Sequence, residues 1–500
     1  MSSANNRQDL SALGIQALVD PAKTPTDEQV RVIEAPRRPL LVVAGAGSGK
    51  TETMSMRVLW LVANHEDIAP SSVLGLTFTR KAAGELGDRL RQRLALLARR
   101  VPPLRERLDE DPVSLTYNSF AERIVAEHGM RIGIDPDFTM LSEAGAVDLM
   151  AQIVEGWPTD LDEDLSPSAA VGHCLHLAGE VGEHGYTVEE ARDALEGFGR
   201  DLEQIGATND TARRTLRANA RRLACLGPVE EFQRRKREGG LLDFSDQLVL
   251  ATRIVREAPA VRAQVRDEFQ AVLLDEFQDT SVIQMELLSL LFHDHAVTAV
   301  GDPNQAIYGW RGASASSLER FLDRFQDGPA RPGQTLALST AWRNDRNILR
   351  AANRVAAPLR EHSRAAKSPV LRARPGAGEG RVDVAYTQDY RSALGAVVDF
   401  VSAHRARGTR EGKRPTTAVL CRRRSDFPYV DMALREAGVP TQIVGLGGLL
   451  DQPSVQDARA ALVLADDVEA SPWLARLLAG IDLGAADLVA LGDWARHLAR

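Results

Sequence analysis

Short, nearly uninterrupted runs of apolar residues at 40–43, 73–77 and 271–274 predict buried β-strands, and a further strand is predicted from residue 297. Runs of this kind are typical of strands that a parallel sheet buries on both faces. Apolar side chains at helical spacing predict one long helix after the second strand, through Leu86, Leu90, Leu94 and Leu97. Strands that alternate with helices predict an α/β fold in which helices flank parallel sheets.

The pattern changes between residues 130 and 240, where the chain is rich in Ala, Leu, Arg and Glu and has few strand signals. We therefore expect a helical insertion there. Apolar runs at 382–386, 416–421 and 442–445 predict strands of a second α/β unit. From about residue 455 the chain is predicted to be helical again.

Composition places the chain among globular proteins of several domains, with 500 residues, 44% hydrophobic and 26% charged. The net charge of −8 does not indicate a nucleic-acid binder, but a groove that grips a strand needs local rather than global positive charge. Cys174, Cys225 and Cys421 are scattered, which predicts a reducing compartment without disulfides. No apolar run is long enough to cross a bilayer, so we expect a cytoplasmic protein without a membrane partner.

A glycine-rich turn follows the first strand and precedes a helix, which is the arrangement of a phosphate-binding P-loop. Its glycines let backbone N–H groups point at an anion, Lys50 reaches the β- and γ-phosphates, and Thr51 offers a hydroxyl to Mg²⁺. The pattern requires glycine first, and Ala44 stands there instead; a turn that binds nothing is the alternative. The predicted ATP-binding residues of the turn are Ala44, Gly45, Ala46, Gly47, Ser48, Gly49, Lys50 and Thr51.

The strand at 271–274 ends in Asp275 and Glu276, the form of a Walker B element. Asp275 is predicted to hold Mg²⁺, and Glu276 is predicted to act as the general base on the attacking water. An Asp-Glu pair at a strand end is common by chance, but a pair that follows a P-loop along the same α/β chain is not.

Three further stretches offer groups for a nucleotide. Gln305 follows the strand from 297 and is predicted to sense the γ-phosphate. Trp342 is able to stack on adenine, and Arg343 to reach the γ-phosphate as an arginine finger. The amide of Gln29, on a short helix capped by Thr26 or Asp27, is able to pair with the edge of adenine, although a surface glutamine is the commoner case.

Aromatic residues beside cations follow two of the predicted strands, at 77–81 and 308–311. Phe78 near Arg80 and Lys81 suits a single strand of nucleic acid, whose bases stack on aromatic rings while its phosphates meet cations. On this stretch alone, a core phenylalanine beside solvated cations is favoured. Tyr308, Trp310 and Arg311 form a second such platform close to Gln305; a core Trp310 is the alternative, which the flanking glycines disfavour.

The predicted insertion contains two basic clusters and a short His-Cys-Leu-His stretch. The clusters at 213–222 and 234–237 either contact DNA phosphates or form solvated helix faces balanced by nearby acidic residues. His173, Cys174 and His176 lack the second group of ligands that a zinc site requires, so we interpret them as ordinary helix residues.

The stretches AGAGSGKT, LTFTRKAAGEL, DEFQDT, VGDPNQAIYGWRGAS and LSTAWRN, in this order, resemble superfamily 1A helicases of the UvrD/Rep/PcrA group. The sequences of several stretches are closer still to those of the AdnB-type motors of actinobacterial AdnAB helicase–nucleases. This resemblance implies an AdnA-like partner subunit. The resemblance implies ATP and Mg²⁺ between two RecA-like domains, with single-stranded DNA and its junctions with duplex as partners. It also implies the predicted domains: 1A at 1–130 and 240–330, 1B at 131–239, part of 2A at 331–455, and early 2B at 456–500.

The resemblance assigns roles residue by residue. It implies adenine contacts for Gln29 and Trp342, catalytic roles for Lys50, Glu276, Gln305 and Arg343, and Mg²⁺ at Thr51 and Asp275. The DNA-binding residues that it implies are Thr77, Phe78, Arg80, Asn118, Tyr308, Trp310 and Arg311. Asn118 stands where the family usually has histidine, and Phe277 where it usually has tyrosine.

Two functions follow from the sequence. The first, which the resemblance implies, is an ATP-driven DNA translocase and helicase with 3′→5′ polarity that acts in double-strand-break processing and recombinational repair. The family's last motifs and a nuclease domain are absent before Arg500, so we expect a truncated chain. The second function is therefore an ATP- and DNA-binding subunit or fragment without motor activity.

Overall fold

A computed structural model describes residues 9–134, 138–159, 161–162, 164–206, 209–309, 317–326, 332–362, 366–407, 415–444, 453–466, 471–480 and 483–498. The chain divides into two compact units, Met1–Val382 and Asp383–Arg500. Each unit is described by itself. The predicted limits of domains 1A, 1B, 2A and 2B stay predictions.

A six-stranded parallel sheet organises the first unit, in the order β3-β2-β6-β7-β1-β8. Its strands are β1 (Leu40–Ala44), β2 (Val73–Thr77), β3 (Val113–Thr116), β6 (Ala271–Leu274), β7 (Val297–Gly301) and β8 (Gln334–Leu338). Two short parallel pairs lie outside this sheet: β4 (Thr139–Met140) with β5 (Leu241–Leu242), and β9 (Thr340–Ala341) with β10 (Arg372–Ala373). The predicted α/β class, with helices flanking a parallel sheet, is confirmed.

The helices of the first unit account for most of its described residues. In chain order they are α1 (Ala12–Val19), α2 (Asp27–Ile33), α3 (Lys50–Asn64), α4 (Arg80–Arg100), α5 (Tyr117–His128), α6 (Glu143–Glu155), α7 (Pro167–His184), α8 (Val188–Ile205), α9 (Asp210–Glu238), α10 (Phe244–Glu257), α11 (Pro259–Glu268), α12 (Val282–Phe292), α13 (Ser317–Phe325) and α14 (Arg346–His362).

The sheet is covered on both faces, which explains why its strands read as continuous apolar runs. In β1, Leu41 and Val43 belong to one buried cluster with residues of α5, α10 and α12. Leu40 and Val42 point to the other face and join a second cluster with residues of α1, α2, α3 and α4. Because successive side chains of a strand alternate between faces, both sets must be apolar when helices cover both.

The helical insertion has a core of its own. Helices α6, α7, α8 and α9 contribute to one buried cluster that includes Cys174, Cys225 and Phe232. The pairing of β4 with β5 brings the beginning and the end of the insertion side by side. The predicted helical character of residues 130–240 is therefore confirmed for the described residues.

The second unit contains α15 (Tyr390–Arg407), α16 (Phe427–Glu436), α17 (Pro453–Asp466), α18 (Ser471–Gly480) and α19 (Ala485–Leu498). The strands predicted at 382–386, 416–421 and 442–445 were wrong: the described residues there, which exclude residue 445, form no strand. Val384, Tyr386 and Leu420 are exposed rather than buried between helices and a sheet. An apolar run becomes a strand only where a neighbouring strand supplies its ladder hydrogen bonds.

Candidate functional site

Five of the predicted motifs meet at one edge of the sheet. The carboxyl ends of parallel strands share an edge, and here β1, β2, β6, β7 and β8 each end in one of the stretches singled out above. This edge is where open α/β sheets bind ligands. The site is therefore built from segments that lie far apart in sequence.

The turn after β1 has the conformation of an anion cradle. Gly47 and Gly49 have φ angles of 71° and 82°, a region that favours glycine, and Gly49 directly precedes Lys50, the first residue of α3. Ser48 is buried, and its hydroxyl oxygen has no hydrogen-bond partner among the described residues. A buried polar atom without a hydrogen-bond partner is energetically costly. A bound polyphosphate would give this hydroxyl a partner, so the turn fits such a ligand.

Lys50 reaches across to the carboxyl end of β6. Its Nζ lies 2.7 Å from Oε2 of Glu276, and the lysine side chain is only 13% exposed. Glu276 has a φ of 48°, a left-handed conformation that is strained for a residue other than glycine. The structure thus pairs the predicted phosphate-binding cation with the predicted general base.

Asp275, which is half-buried, directly precedes Glu276. Burial, and next the charge of Glu276, raise the pKa of Asp275 to about 6, while Lys50 opposes the rise. Its Oδ1 accepts from the Glu276 backbone N–H at 3.0 Å, and its carbonyl accepts from the Tyr117 hydroxyl at 3.0 Å. A carboxylate whose charged form is destabilised in this way is suited to bind a divalent cation. Thr51, the other predicted Mg²⁺ ligand, is half-buried at the second position of α3.

A hydrogen-bond network links Glu276 with Gln305, and sequence reasoning missed its two central residues. Gln278 is buried; its Nε2 donates to Oε2 of Glu276 at 2.8 Å, and its Oε1 accepts from the Asp302 N–H at 3.1 Å. Oδ2 of Asp302 accepts from Nε2 of Gln305 at 2.6 Å. The sequence offered one signal for these two residues: both DEFQD and GDPNQ contain a glutamine and an aspartate close together.

A pocket of about 670 Å³ lies beside the glycine turn. Gln29 and Trp342 both line it, together with Thr26, Glu52, Thr53 and Pro375. Gln29 is buried rather than on the surface, and its amide is oriented at both ends: Oε1 accepts from the Thr26 N–H at 3.0 Å, and Nε2 donates to Oγ1 of Thr53 at 3.2 Å. The sequence offered no signal for Thr53.

Trp342 and Arg343 are positioned by direct contact with the glycine turn. The Trp342 N–H donates to the Gly47 carbonyl at 2.8 Å. A Cβ added at Gly47 would lie 2.7 Å from Cβ of Arg343, so only glycine allows this approach. Both side chains are exposed, and Trp342 is 40% accessible at the mouth of the pocket.

The predicted DNA-binding residues differ in their surroundings. Phe78 and Tyr308, both half-buried, stack with ring centroids 4.7 Å apart, so the structure joins the platforms after β2 and β7. Arg80 is exposed at the first turn of α4. Thr77 is buried and donates to the Thr79 carbonyl, while Asn118 accepts from Gln284 at 3.3 Å. Trp310 and Arg311 lie outside the described residues.

Acidic partners accompany the basic clusters of the insertion. Arg221 pairs with Asp162 at 2.7 Å, and Lys236 is buried between Asp243 at 2.6 Å and Asp246 at 2.8 Å. These ion pairs favour the interpretation as balanced helix faces over a DNA contact. Among the described residues, no group of three or more His, Cys, Asp or Glu side chains is arranged to hold a metal ion.

A strand, a glycine turn and a helix that begins with Lys-Thr, facing an Asp-Glu pair two strands away, define a P-loop protein of the α/β class. Residues 25–326 match the model of the UvrD/REP helicase N-terminal domain. The chain belongs to the UvrD/REP helicase family.

Several curated relatives cover most of the chain. DNA helicase II of Escherichia coli strain K12 is 27% identical over 441 residues, 88% of this chain and 54% of its own length. PcrA, an ATP-dependent DNA helicase of Staphylococcus epidermidis, is 26% identical over 444 residues, 89% of this chain and 53% of its own length. UvrD2, an ATP-dependent DNA helicase of Mycobacterium tuberculosis, is 29% identical over 443 residues, 87% of this chain and 57% of its own length. The chain spans about half the length of these relatives. Among the described residues no helix is long and apolar enough to cross a membrane.

Proposed function

We propose that this chain carries the nucleotide-binding motor core of an ATP-dependent DNA helicase. The observation that carries the proposal is the meeting, at one sheet edge, of the P-loop, the Asp275–Glu276 pair, the Gln305 network and the pocket between Gln29 and Trp342. Family membership, and the names of the relatives, support ATP as the nucleotide and DNA as the polymer.

In this proposal Gln29 and Trp342 bind adenine, and Lys50 binds the β- and γ-phosphates. Asp275 and Thr51 hold Mg²⁺, which neutralises charge on the phosphates when bound. A triphosphate gives Lys50 a new anionic partner, so the Lys50–Glu276 pair is exchanged for a Lys50–phosphate contact. The carboxylate of Glu276 is then available to accept a proton from the attacking water.

In this mechanism Gln305 and Arg343 contact the γ-phosphate. Because Gln305 lies three residues before Tyr308, a change at the γ-phosphate reaches the stacked Phe78–Tyr308 pair through one short loop. We propose that this pair, with Arg80, binds single-stranded DNA, and that Trp310 and Arg311, which follow Tyr308 in sequence, contribute to the same surface. Asn118 completes that surface in the proposal, whereas Thr77, which directly precedes Phe78 in sequence, is buried and is not assigned a DNA contact.

The finer functional assignments rest on resemblance. We propose 3′→5′ polarity, a role in double-strand-break processing with an AdnA-like partner subunit, and a cytoplasmic location. Duplexes with a single-stranded tail at the 3′ or at the 5′ end test polarity, since unwinding that prefers the 5′ tail would contradict it. Co-purification of a second helicase subunit from the native host tests the partner.

Hydrolysis of ATP with and without single-stranded DNA tests the central proposal. We expect DNA to stimulate hydrolysis, and Lys50→Ala to abolish turnover while DNA affinity stays within about twofold, because the lysine contacts phosphate rather than DNA. ATP binding without DNA-stimulated hydrolysis would favour the non-motor alternative. Equal hydrolysis by wild type and Lys50→Ala would remove the P-loop from the mechanism.

A further inference from the structure

The short segment 339–343 carries both Trp342 and Arg343, and its first residue is bound by a side chain from α2. The backbone N–H of Ser339 donates to Oε2 of Glu28 at 2.7 Å, and the Ser339 hydroxyl donates to Oε1 of Glu28 at 2.6 Å. Ser339 is buried. Both oxygens of one carboxylate thus engage a single residue that lies 311 positions away in sequence.

Helix α2, which supplies Glu28, is itself fixed against the P-loop helix α3. The next residue, Gln29, bonds to Thr53 of α3, and Arg57 of α3 donates to carbonyls at the end of α2. Consecutive residues of a helix point about 100° apart. One turn of α2 therefore directs Gln29 into the pocket and Glu28 towards the segment 339–343.

The other anchor of the segment is the bond from the Trp342 N–H to the carbonyl of Gly47, 2.8 Å long. Gly47 belongs to the turn proposed to hold phosphates, whereas Glu28 and Ser339 lie outside that turn. The Glu28–Ser339 contact is therefore the anchor that does not depend on the conformation of the glycine turn. Between the two anchors, Thr340–Ala341 pairs with Arg372–Ala373.

We propose that Glu28 is a positioning residue of the nucleotide site: through Ser339 it fixes the segment that places Trp342 at the base pocket and Arg343 beside the glycine turn. The inference rests on the proposed function, because it assigns a role in ATP binding and hydrolysis. It adds a residue that touches neither base nor phosphate and that acts from the helix which also carries Gln29.

Kinetics of Glu28→Ala test the inference, with Asp27→Ala as the matched control. Asp27 is an exposed carboxylate in the same first turn of α2. We expect Glu28→Ala to lower the kcat of DNA-stimulated ATP hydrolysis about tenfold and to raise KM for ATP about threefold, on the scale of one lost hydrogen bond to a charged group. Asp27→Ala should match wild type.

Inorganic pyrophosphate, measured as a competitive inhibitor, separates positioning from general damage to the fold. It lacks both the base and the third phosphate, the groups proposed to contact Trp342 and Arg343, so its Ki should stay within about twofold in Glu28→Ala, a change worth less than one hydrogen bond. Glu28→Gln keeps both contacts, since an amide oxygen accepts from the Ser339 N–H while its NH₂ donates to the hydroxyl, and we expect it to restore most of kcat.

The outcomes distinguish the two proposals. If wild type hydrolyses ATP but Glu28→Ala behaves as Asp27→Ala does, the role of Glu28 is refuted and the proposed function stands. A Ki for pyrophosphate that rises as much as KM for ATP would also refute the role, because it would indicate disruption of the whole site. If wild type neither binds nor hydrolyses ATP, the proposed function fails and the inference fails with it.

Discussion

Arg57 offers the sharpest test of how the nucleotide site is held together. It lies on α3, is 1% exposed, and its guanidinium donates to Oγ1 of Thr298 on β7 at 2.9 Å. Its other bonds, of 2.8 to 3.2 Å, all go to carbonyls at and just beyond the end of α2: Val32, Ile33, Ala35 and Pro36. Arg57 thus satisfies the carbonyls that a helix end leaves without partners, and it joins α2 to α3 and the sheet.

The loss of stability expected for Arg57→Met follows from two opposing effects. Five hydrogen bonds from a charged donor contribute about 1.5 kcal/mol each at the low end of the usual range. Burial lowers the pKa of Arg57 to about 10, a shift that corresponds to a cost of roughly 3 kcal/mol for holding the charge. The difference predicts that Arg57→Met lowers the free energy of unfolding of the first unit by about 3–5 kcal/mol.

Urea unfolding followed by circular dichroism measures this change, with Arg31→Met as the control. Arg31 is an exposed arginine on α2, so its loss should cost less than about 0.5 kcal/mol. We expect the midpoint for Arg57→Met to fall by about 1–2 M urea, given an m-value of about 2–3 kcal/mol/M. KM for ATP should rise as well, because α2 carries Gln29.

Free energies of unfolding that agree within about 1 kcal/mol for Arg57→Met and Arg31→Met would refute the reasoning, since experimental error in such extrapolations is of that order. The result would mean that the cost of burying the guanidinium cancels all its hydrogen bonds. Methionine would then be an adequate replacement, as hydrophobic residues are for some buried ion pairs.

Two further substitutions test the site itself. Asp275→Asn should stabilise the nucleotide-free protein by about 1–3 kcal/mol at pH 7. Burial raises the pKa of Asp275 to about 6, so at pH 7 the side chain is ionised at a cost to the folded state, and asparagine removes that charge. A thermal melt checks the gain in stability, an unchanged melt would contradict the argument, and ATP hydrolysis should fall. Tyr308→Ala should weaken binding of an oligo-dT strand by about 1–3 kcal/mol in fluorescence anisotropy, the usual range for stacking on one base. ATP affinity without DNA should be unaffected, and undiminished DNA affinity would exclude Tyr308 from the proposed surface.

Local pattern was sufficient for the strands that form the site. β1, β2 and β6 begin and end within one residue of the predicted runs, because helices bury both faces of the sheet and every position must be apolar. Because parallel strands run in one direction, their polar carboxyl ends lie at one edge of the sheet. The order of strands was not predictable in this way, since β1 lies between β7 and β8, and only the folded sheet determines those neighbours.

The contacts that orient the site were beyond local pattern. Gln278 and Asp302 are 24 residues apart, and Glu28 and Ser339 are 311 apart, so no window of sequence contains either pair. Arg57 did leave a signal: it occupies the buried face of α3 with Met54 and Leu61, at helical spacing where an apolar residue is expected. A charged residue at such a position indicates a buried hydrogen-bonding role.

The network around Gln278 explains why the proposed nucleotide and DNA surfaces need not touch in order to be coupled. Nε2 of Gln278 donates to Glu276 at 2.8 Å and to Oδ2 of Asp279 at 3.2 Å, so a single amide contacts both carboxylates. Oδ1 of Asp279 in turn accepts from the N–H of Ile307, the residue before Tyr308. The two N–H groups of the amide serve one carboxylate each, so a phosphate that takes Lys50 away from Glu276 acts on a carboxylate held by the same amide that holds Asp279. A chain of hydrogen-bonded side chains of this kind is what coupling between two sites travels through.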